Sequence, residues 1–365
     1  MIQNEDIKEI LINPDKVEAY LDLSEIVDSM EIIPLETTEK CLISEIDRIE
    51  IYQDLIYVSN RTNAKIFVFT AQGKFLKSIG RQGMGPGEYS HLGNFAFKDE
   101  SIIVQDRFRS KYVTYDLSGN LSKEIPYDVF HLEIVPFNNL AYFISSYIQS
   151  EYGNFNLYKF DFRIGKIVSS MIPFDNESIA KSTYGLRRYT SKCGNEATLI
   201  YPLNDTIYTL RENVVAPSYV VHFTSKNLPK ELTVDKNMLF RYIRKNGYLK
   251  GLEYLQNSQD YLLGYYIDKI NFKYFIYNKC DANIDVGNRL KIGLLGGMIF
   301  HDFYTSTDNR LYIYQDAATF SFNWKSMRDN CKNIYYREKV DFLVKELNDD
   351  SNPILLKCNF RKVNK

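Results

Sequence analysis

Residues 55–97 read LIYVSN, RTNA, KIFVFT, AQGK, FLKSIG, RQGMGPGEYSHL and GNFAF in succession. Apolar and polar residues alternate within the short runs, and Asn, Gly and Pro fall between them. Alternation with period two describes a strand with one buried face, and those three residue types punctuate strands with turns. The stretch therefore predicts three antiparallel strands, a long loop, and the first strand of a second such unit. The unit recurs. Ile56, Asn60, Arg61, Lys65, Phe69 and Gly73 are matched one unit later by Ile102, Asp106, Arg107, Lys111, Tyr115 and Gly119. A repeat of this length with four short strands is the pattern of propeller blades, each too small to bury both of its faces alone.

Working outward, Phe160 continues the spacing from Tyr115, and the chain divides into six blades. The first takes ISEIDRIEIY as its inner strand and ends near residue 80; the second runs from GNFAF to Tyr127. FHLEIV opens the third, ATLIYPL the fourth and YLLGYYI the fifth. MIFHDFYTS and RLYIYQD form the sixth, completed by PILLKCNF near the C-terminus and EIIPLE at 31–36, whose Pro34 suits an edge or a bulge. Residues 1–29 are a polar lead-in. Two stretches break the strand pattern, at about 228–258 and 326–350. Leu239, Tyr242 and Ile243 in the first, and Val340, Leu343, Val344 and Leu347 in the second, recur at the spacing of one helix face. The expectation is a single domain over 1–365, an all-β six-bladed propeller with two helical insertions on its rim.

Residues 55–97 resemble an NHL-type propeller repeat, in which a strand pair like IYVSN and KIFVF is followed by a G-K-F-L turn and a Gly-rich loop. The whole chain resembles the uncharacterised six-bladed β-propellers of bacterial cell envelopes, many of them lipoproteins. The residues that carry this are IIPLETTEKCLISEID at 32–47, GRQGMGPGEY at 80–89, NDTIY at 204–208 and NPILLKCNF at 352–360. The resemblance implies a fold and an envelope location in the periplasm or outer membrane, with no biochemical activity attached. It also implies an export signal and a lipid-anchored cysteine on the precursor, outside this chain. Cys41 is not that cysteine, because the TTEK before it is polar.

Composition narrows the function classes. Hydrophobic residues at 45% supply ample core, and 29 Tyr and 23 Phe suit pleated, half-buried surfaces. A net charge of −1 provides no general field for nucleic acid or anionic membrane. The basic segment 236–250, with Lys236, Arg241, Arg244, Lys245 and Lys250 around Tyr242 and Tyr248, reads as a solvated helix face. Five scattered cysteines without a C-x-x-C pair indicate neither a zinc motif nor a disulfide framework. No apolar run is long enough to span a bilayer.

Candidate chemistry is sparse. Gly83, Gly85 and Gly87 lack the spacing of a dinucleotide loop, lead into a strand, and read as a structural turn fixed by Pro86. Blade strands alternate in direction, so loops joining second to third strands share a face with the blade-to-blade loops. This places Arg61, Asp106, Arg107 and Arg109 beside Arg81, Glu88, Tyr89 and His91. Those eight residues are the expected ligand-binding set, an anion-tolerant surface for a small molecule, glycan or protein, with arginine suited to carboxylates. The opposing interpretation is that Asp106 and Glu88 brace neighbouring arginines. His91, His131 and His301 fall near inner-strand starts, where NHL-type lyases hold zinc, but inner-strand histidines also serve as core residues; no metal or cofactor is assigned. No nucleophile motif is present. The favoured function is a non-enzymatic binding or scaffold propeller. The alternative is a metal-dependent lyase or glycan-active hydrolase working in the central channel.

Overall fold

The computed structural model describes residues 7–176, 181–182, 184–229, 238–306 and 309–361. The repeat at 55–97 folds as read. Arg48–Tyr52, Leu55–Asn60, Lys65–Phe69 and Phe75–Ile79 pair antiparallel in chain order. The next blade repeats the arrangement with Leu92–Lys98, Ser101–Asp106, Lys111–Asp116 and Leu121–Pro126. Middle strands are buried on both faces, because each blade is sandwiched between two others. Ile56, Val58, Phe67 and Phe69 pack against Tyr304, Tyr312 and Leu355 of the closing blade. Their alternates Tyr57, Ile66 and Val68 pack against Phe95, Val104 and Val113 of the second. Only the outermost strand, Phe75–Ile79, alternates between exposed and covered. The fold is an all-β propeller.

The described strands form seven sheets, and the expectation of six blades is corrected to seven. The additional one is short. Leu21–Asp22, Leu290–Ile292 and Met298–Phe300 make a three-stranded sheet whose Leu290, Ile292, Met298 and Phe300 lie in one core with the fifth and closing blades. Strands of two or three residues carry no readable alternation, and the MIF run had been merged with the DFYT run that follows His301. The closing blade joins Asp302–Thr305, Arg310–Gln315 and Ile354–Phe360 to the N-terminal strand Val27–Pro34. That sheet therefore joins an early strand of the chain to a late one, with Ile354 opposite Pro34.

Two further boundaries moved. Residues taken as lead-in include Lys8–Ile12, which adds a fifth, parallel strand to the fourth blade beside Val215–Phe223. The first insertion holds one helix, α1 (Leu239–Asn246), ending at Gly247 with φ +69°, and gives up Tyr254–Asn257 as the inner strand of the fifth blade. Residues 230–237 of that insertion, Lys236 among them, lie outside the described residues. The second begins earlier than expected and holds α2 (Ala317–Met327) and α3 (Ile334–Glu346), each started by a side-chain cap from Asp316 or Asn333. Phe320, Trp324, Tyr336 and Val340 seal these helices onto the core of the closing blade. Among the described residues, no helix is long and apolar enough to cross a membrane. All five cysteines are free.

Candidate functional site

Every inner strand is entered from a blade-to-blade loop, so the inner strands run the same way along the propeller axis. At the end where the first four of them turn back, a cavity of about 610 Å³ opens. Its wall includes Tyr52, Lys98, Phe137 and Asn195, at or just beyond the ends of successive inner strands. Tyr52 and Phe97 stack with ring centroids 4.3 Å apart. Charged residues line it at both ends: Lys98, Asp99, Glu196, Arg211 and Glu212 at the hairpins, and Arg48, Glu50, Arg188 and Lys192 deeper in, with Tyr304 from the closing blade.

The deeper charges are cross-linked across the axis. Arg48 donates to Glu50 Oε1 at 2.8 Å and to Glu133 Oε1 at 2.9 Å. Arg188 pairs with Glu50, whose second oxygen accepts the Tyr304 hydroxyl at 2.7 Å. Glu133, almost fully buried, also accepts the Tyr189 N–H at 2.8 Å and the Thr190 hydroxyl at 2.9 Å. Beyond this network lies a void of only about 30 Å³, touched by Asp47, Arg61, Arg187 and Tyr314. Arg48, Arg188 and Tyr304 line both spaces and form the partition between them. The large cavity is thus closed at its inner end by an ion-pair plug.

Burial opposes an ionised Glu50, but the Arg188 and Arg48 guanidiniums and the Tyr304 hydrogen bond outweigh it, holding the carboxyl below its ordinary range. Burial, the Glu50 charge and their hydrogen bond keep Tyr304 protonated far above the usual tyrosine value. Lys192 differs from its neighbours. Its Nζ donates to Pro136 O at 2.8 Å and stands 5.1 Å from the Phe137 ring centroid, yet it makes no ion pair among the described residues. Burial lowers its pKa, with partial compensation from the more distant Glu50.

The eight residues expected to bind ligand sit on the opposite face, as the topology required, and they divide by environment. Tyr89 and Asp106 are fully buried: the Tyr89 hydroxyl donates to Ala64 O at 2.7 Å, and Asp106 accepts the Ser90 N–H and hydroxyl. Glu88 accepts the Gly85 N–H at 2.8 Å and pairs with exposed Arg81 at 2.5 Å. A Cβ on Gly83 would stand 2.0 Å from the Glu88 carboxylate, so a larger residue there would push that side chain off its present contacts. Arg61 pairs with Asp47 at 3.5 Å, and Arg109 donates to Met84 O at 3.2 Å. His91 lies against Phe108, with ring centroids 5.1 Å apart. Arg107 donates to Leu132 O at 2.9 Å and to Gln105 at 3.3 Å, and burial beside Arg61 lowers its pKa. Leu132 O keeps the Asn94 amide at 2.6 Å, so we expect Arg107→Ala to lower stability by only about 1 kcal/mol; denaturant unfolding measures it.

The three histidines do not converge. His131 is buried, stacked on Phe143 at 4.0 Å and pushed down to about 3 by burial; His301 is exposed, 3.2 Å from the Tyr274 hydroxyl. Among the described residues, no three His, Cys, Asp or Glu side chains are placed to share a metal ion.

Residues 8–359 match the family described as a domain of unknown function, DUF4934. The chain belongs to that family. Solved structures share its fold, two of them over almost the whole chain. A candidate exported protein of Bacteroides fragilis superposes with a TM-score of 0.77 at 18% identity, covering 98% of this chain and 100% of that one. A DUF4221 member from Bacteroides vulgatus gives 0.55 at 11% identity, over 92% and 97% of the respective chains. No curated protein matches the sequence.

The cavity residues of this DUF4934 protein were missed by motif reading, because they arise from different blades with no shared sequence signature. One signal was available. Arg48, Glu50 and Tyr52 are alternate polar positions on an inner strand otherwise made of isoleucine. Thr190 and Lys192 hold the matching positions in the fourth blade, where Ser191 between them is polar as well and hides the alternation. Such positions face the channel.

Proposed function

We propose that this protein is a non-enzymatic ligand-binding propeller of the bacterial cell envelope, holding a small polar molecule in the cavity at the hairpin end of its inner strands. The observation that carries this is the 610 Å³ space, closed by the Arg48–Glu50–Glu133–Arg188 plug and walled by aromatic rings near its mouth. Concave sites with a few convergent polar groups are the usual form of small-molecule pockets. The likeness to a candidate exported protein supports an envelope location. Binding is favoured over hydrolysis because Glu50 is held ionised by two arginines, which suits it poorly to donate a proton. The test is a thermal-shift screen of glycans and metabolites on the wild-type chain and on Asn195→Trp, which narrows the mouth from an exposed hairpin. Hits should weaken at least about tenfold in the variant; hits indifferent to it place binding elsewhere.

A protein partner is a second reading, favoured by the opposite face. There Met84 and Phe108 are 70% and 78% exposed, beside Arg81 and Arg109. Cross-linking from position 108 in cells of the source organism tests it, and an absence of specific products removes it.

A further inference from the structure

We infer that the ligand is a sugar monocarboxylate, whose carboxylate is received by Lys192. This rests on the cavity being the binding site. The charge inventory leads to it. Arg48 and Arg188 are paired with Glu50 and Glu133, Lys98 with Asp99, and Arg211 with Glu196. Each of those cations lines the cavity and already faces a carboxylate. Lys192 faces none among the described residues: of its three N–H groups, one is used on Pro136 O. A desolvated ammonium with spare donors is stabilised by a counter-anion, and here the protein does not supply one at contact distance. Glu212, which accepts the Asn138 amide at 2.9 Å, is the one lining carboxylate without an ion pair among the described residues, so the wall as a whole has no excess positive charge. Lys192 therefore suits one negative charge placed locally at its ammonium, and no more than one.

The surroundings specify the rest of the molecule. Arg188 Nε is buried without a hydrogen-bond partner among the described residues, and the Arg188 side chain stands in the same wall between the cavity and the small void. The Phe137 ring beside Lys192 and the stacked Tyr52–Phe97 pair offer flat apolar surfaces. Asn138, Asn195 and Glu212 add neutral and acidic hydrogen-bonding groups toward the mouth, suited to hydroxyls. A ring with one apolar face, several hydroxyls and one carboxylate satisfies all of these at once. A dianionic sugar phosphate would bring a second charge toward Glu50 and Glu212 without a matching cation.

The probes are D-glucuronate, D-galacturonate, their methyl esters, glucose and glucose 6-phosphate, titrated calorimetrically into the full chain. Binding of at least one uronate is expected, with its methyl ester weaker by about tenfold or more, the scale of one charge-assisted contact. Lys192→Met should remove that preference, leaving acid and ester equal, while Lys192→Arg should retain part of it. Circular dichroism on both variants separates a lost contact from a lost fold. Ester binding equal to acid, tighter binding of glucose 6-phosphate, or an unchanged preference in a folded Lys192→Met overturns the inference. If neutral sugars bind and are blocked by Asn195→Trp, the cavity reading stands and the sugar acid falls. If uronates bind but Asn195→Trp leaves them unaffected, the cavity reading falls with it.

Discussion

Glu50→Ala should lower stability by about 3–5 kcal/mol, the range for removing one member of a buried ion pair. The cost is one-sided because both guanidiniums remain. Arg48 keeps Glu133, but Arg188, with its side chain 11% exposed, loses its carboxylate and retains the Tyr304 ring, 4.7 Å away. The Tyr304 hydroxyl also loses its acceptor in a buried place. Denaturant unfolding of Glu50→Ala, Arg188→Met and the double variant measures this. The double variant should be closer to wild type than Glu50→Ala, since an apolar replacement of a buried pair is often tolerated. Additive losses in that cycle would show that the two groups do not interact.

The pH dependence follows with a definite sign. Glu50 has a folded-state pKa below its ordinary value of 4.5, so the folded state binds its proton less readily than the unfolded chain does. Its stabilisation is fully present above about 4.5 and is lost as pH falls through the depressed value. The stability gap between wild type and Glu50→Gln should therefore be constant from pH 7 to 5 and narrow in stronger acid. A gap that widens on acidification would place the plug's ionisation elsewhere.

How far the sequence could be read depended on whether a feature repeats. Ile56, Asn60 and Phe69 find counterparts in Ile102, Asp106 and Tyr115 of the second blade because blade geometry imposes the same burial at each, and from them the propeller followed. Lys8–Ile12 and Leu21–Asp22 have no repeat partner and pair with strands far away in the chain. That is why the lead-in, and with it the seventh sheet, escaped periodicity. The loop face was located correctly from strand direction alone, since Arg109 reaches Met84 and Tyr89 reaches Ala64 across neighbouring loops. What alternation could not give was which polar residues point at water and which at a buried partner. Asp106 and Arg107 look equally functional as letters, yet one is fully buried against Ser90 and the other ties down Leu132. Glu50 and Lys192 acquire meaning only when the inner strands are arranged around one axis.

Ring closure should prove equally sensitive at one residue of the C-terminal motif. Asn352 is 1% exposed and stands two residues before Ile354–Phe360. Its side chain accepts the Ile43 N–H at 2.7 Å and donates to Glu36 O and Cys41 O at 2.7 and 2.8 Å, while its own N–H reaches Thr37. One amide therefore satisfies three backbone groups of the segment that leads from Val27–Pro34 into the first blade. Alanine would keep the bond to Thr37, leave Glu36 O with only the weak Cys41 thiol donor at 3.1 Å, and strand the Ile43 N–H and Cys41 O. At about 1–3 kcal/mol for each buried group left unpaired, Asn352→Ala should cost on the order of 3 kcal/mol or more. Asn352→Asp offers a sharper comparison: it retains the acceptor for Ile43 but sets a carboxylate against the Glu36 and Cys41 carbonyls. It should therefore be no more stable than alanine near neutral pH and should recover in acid, as protonation restores a donor. Hydrogen exchange locates the effect. Leu355 and Leu356 should lose protection in Asn352→Ala, whereas Ile103 and Val104 in the second blade should change only as far as global stability does. Uniform loss across both blades would mean that the closing sheet does not open separately from the rest of the ring.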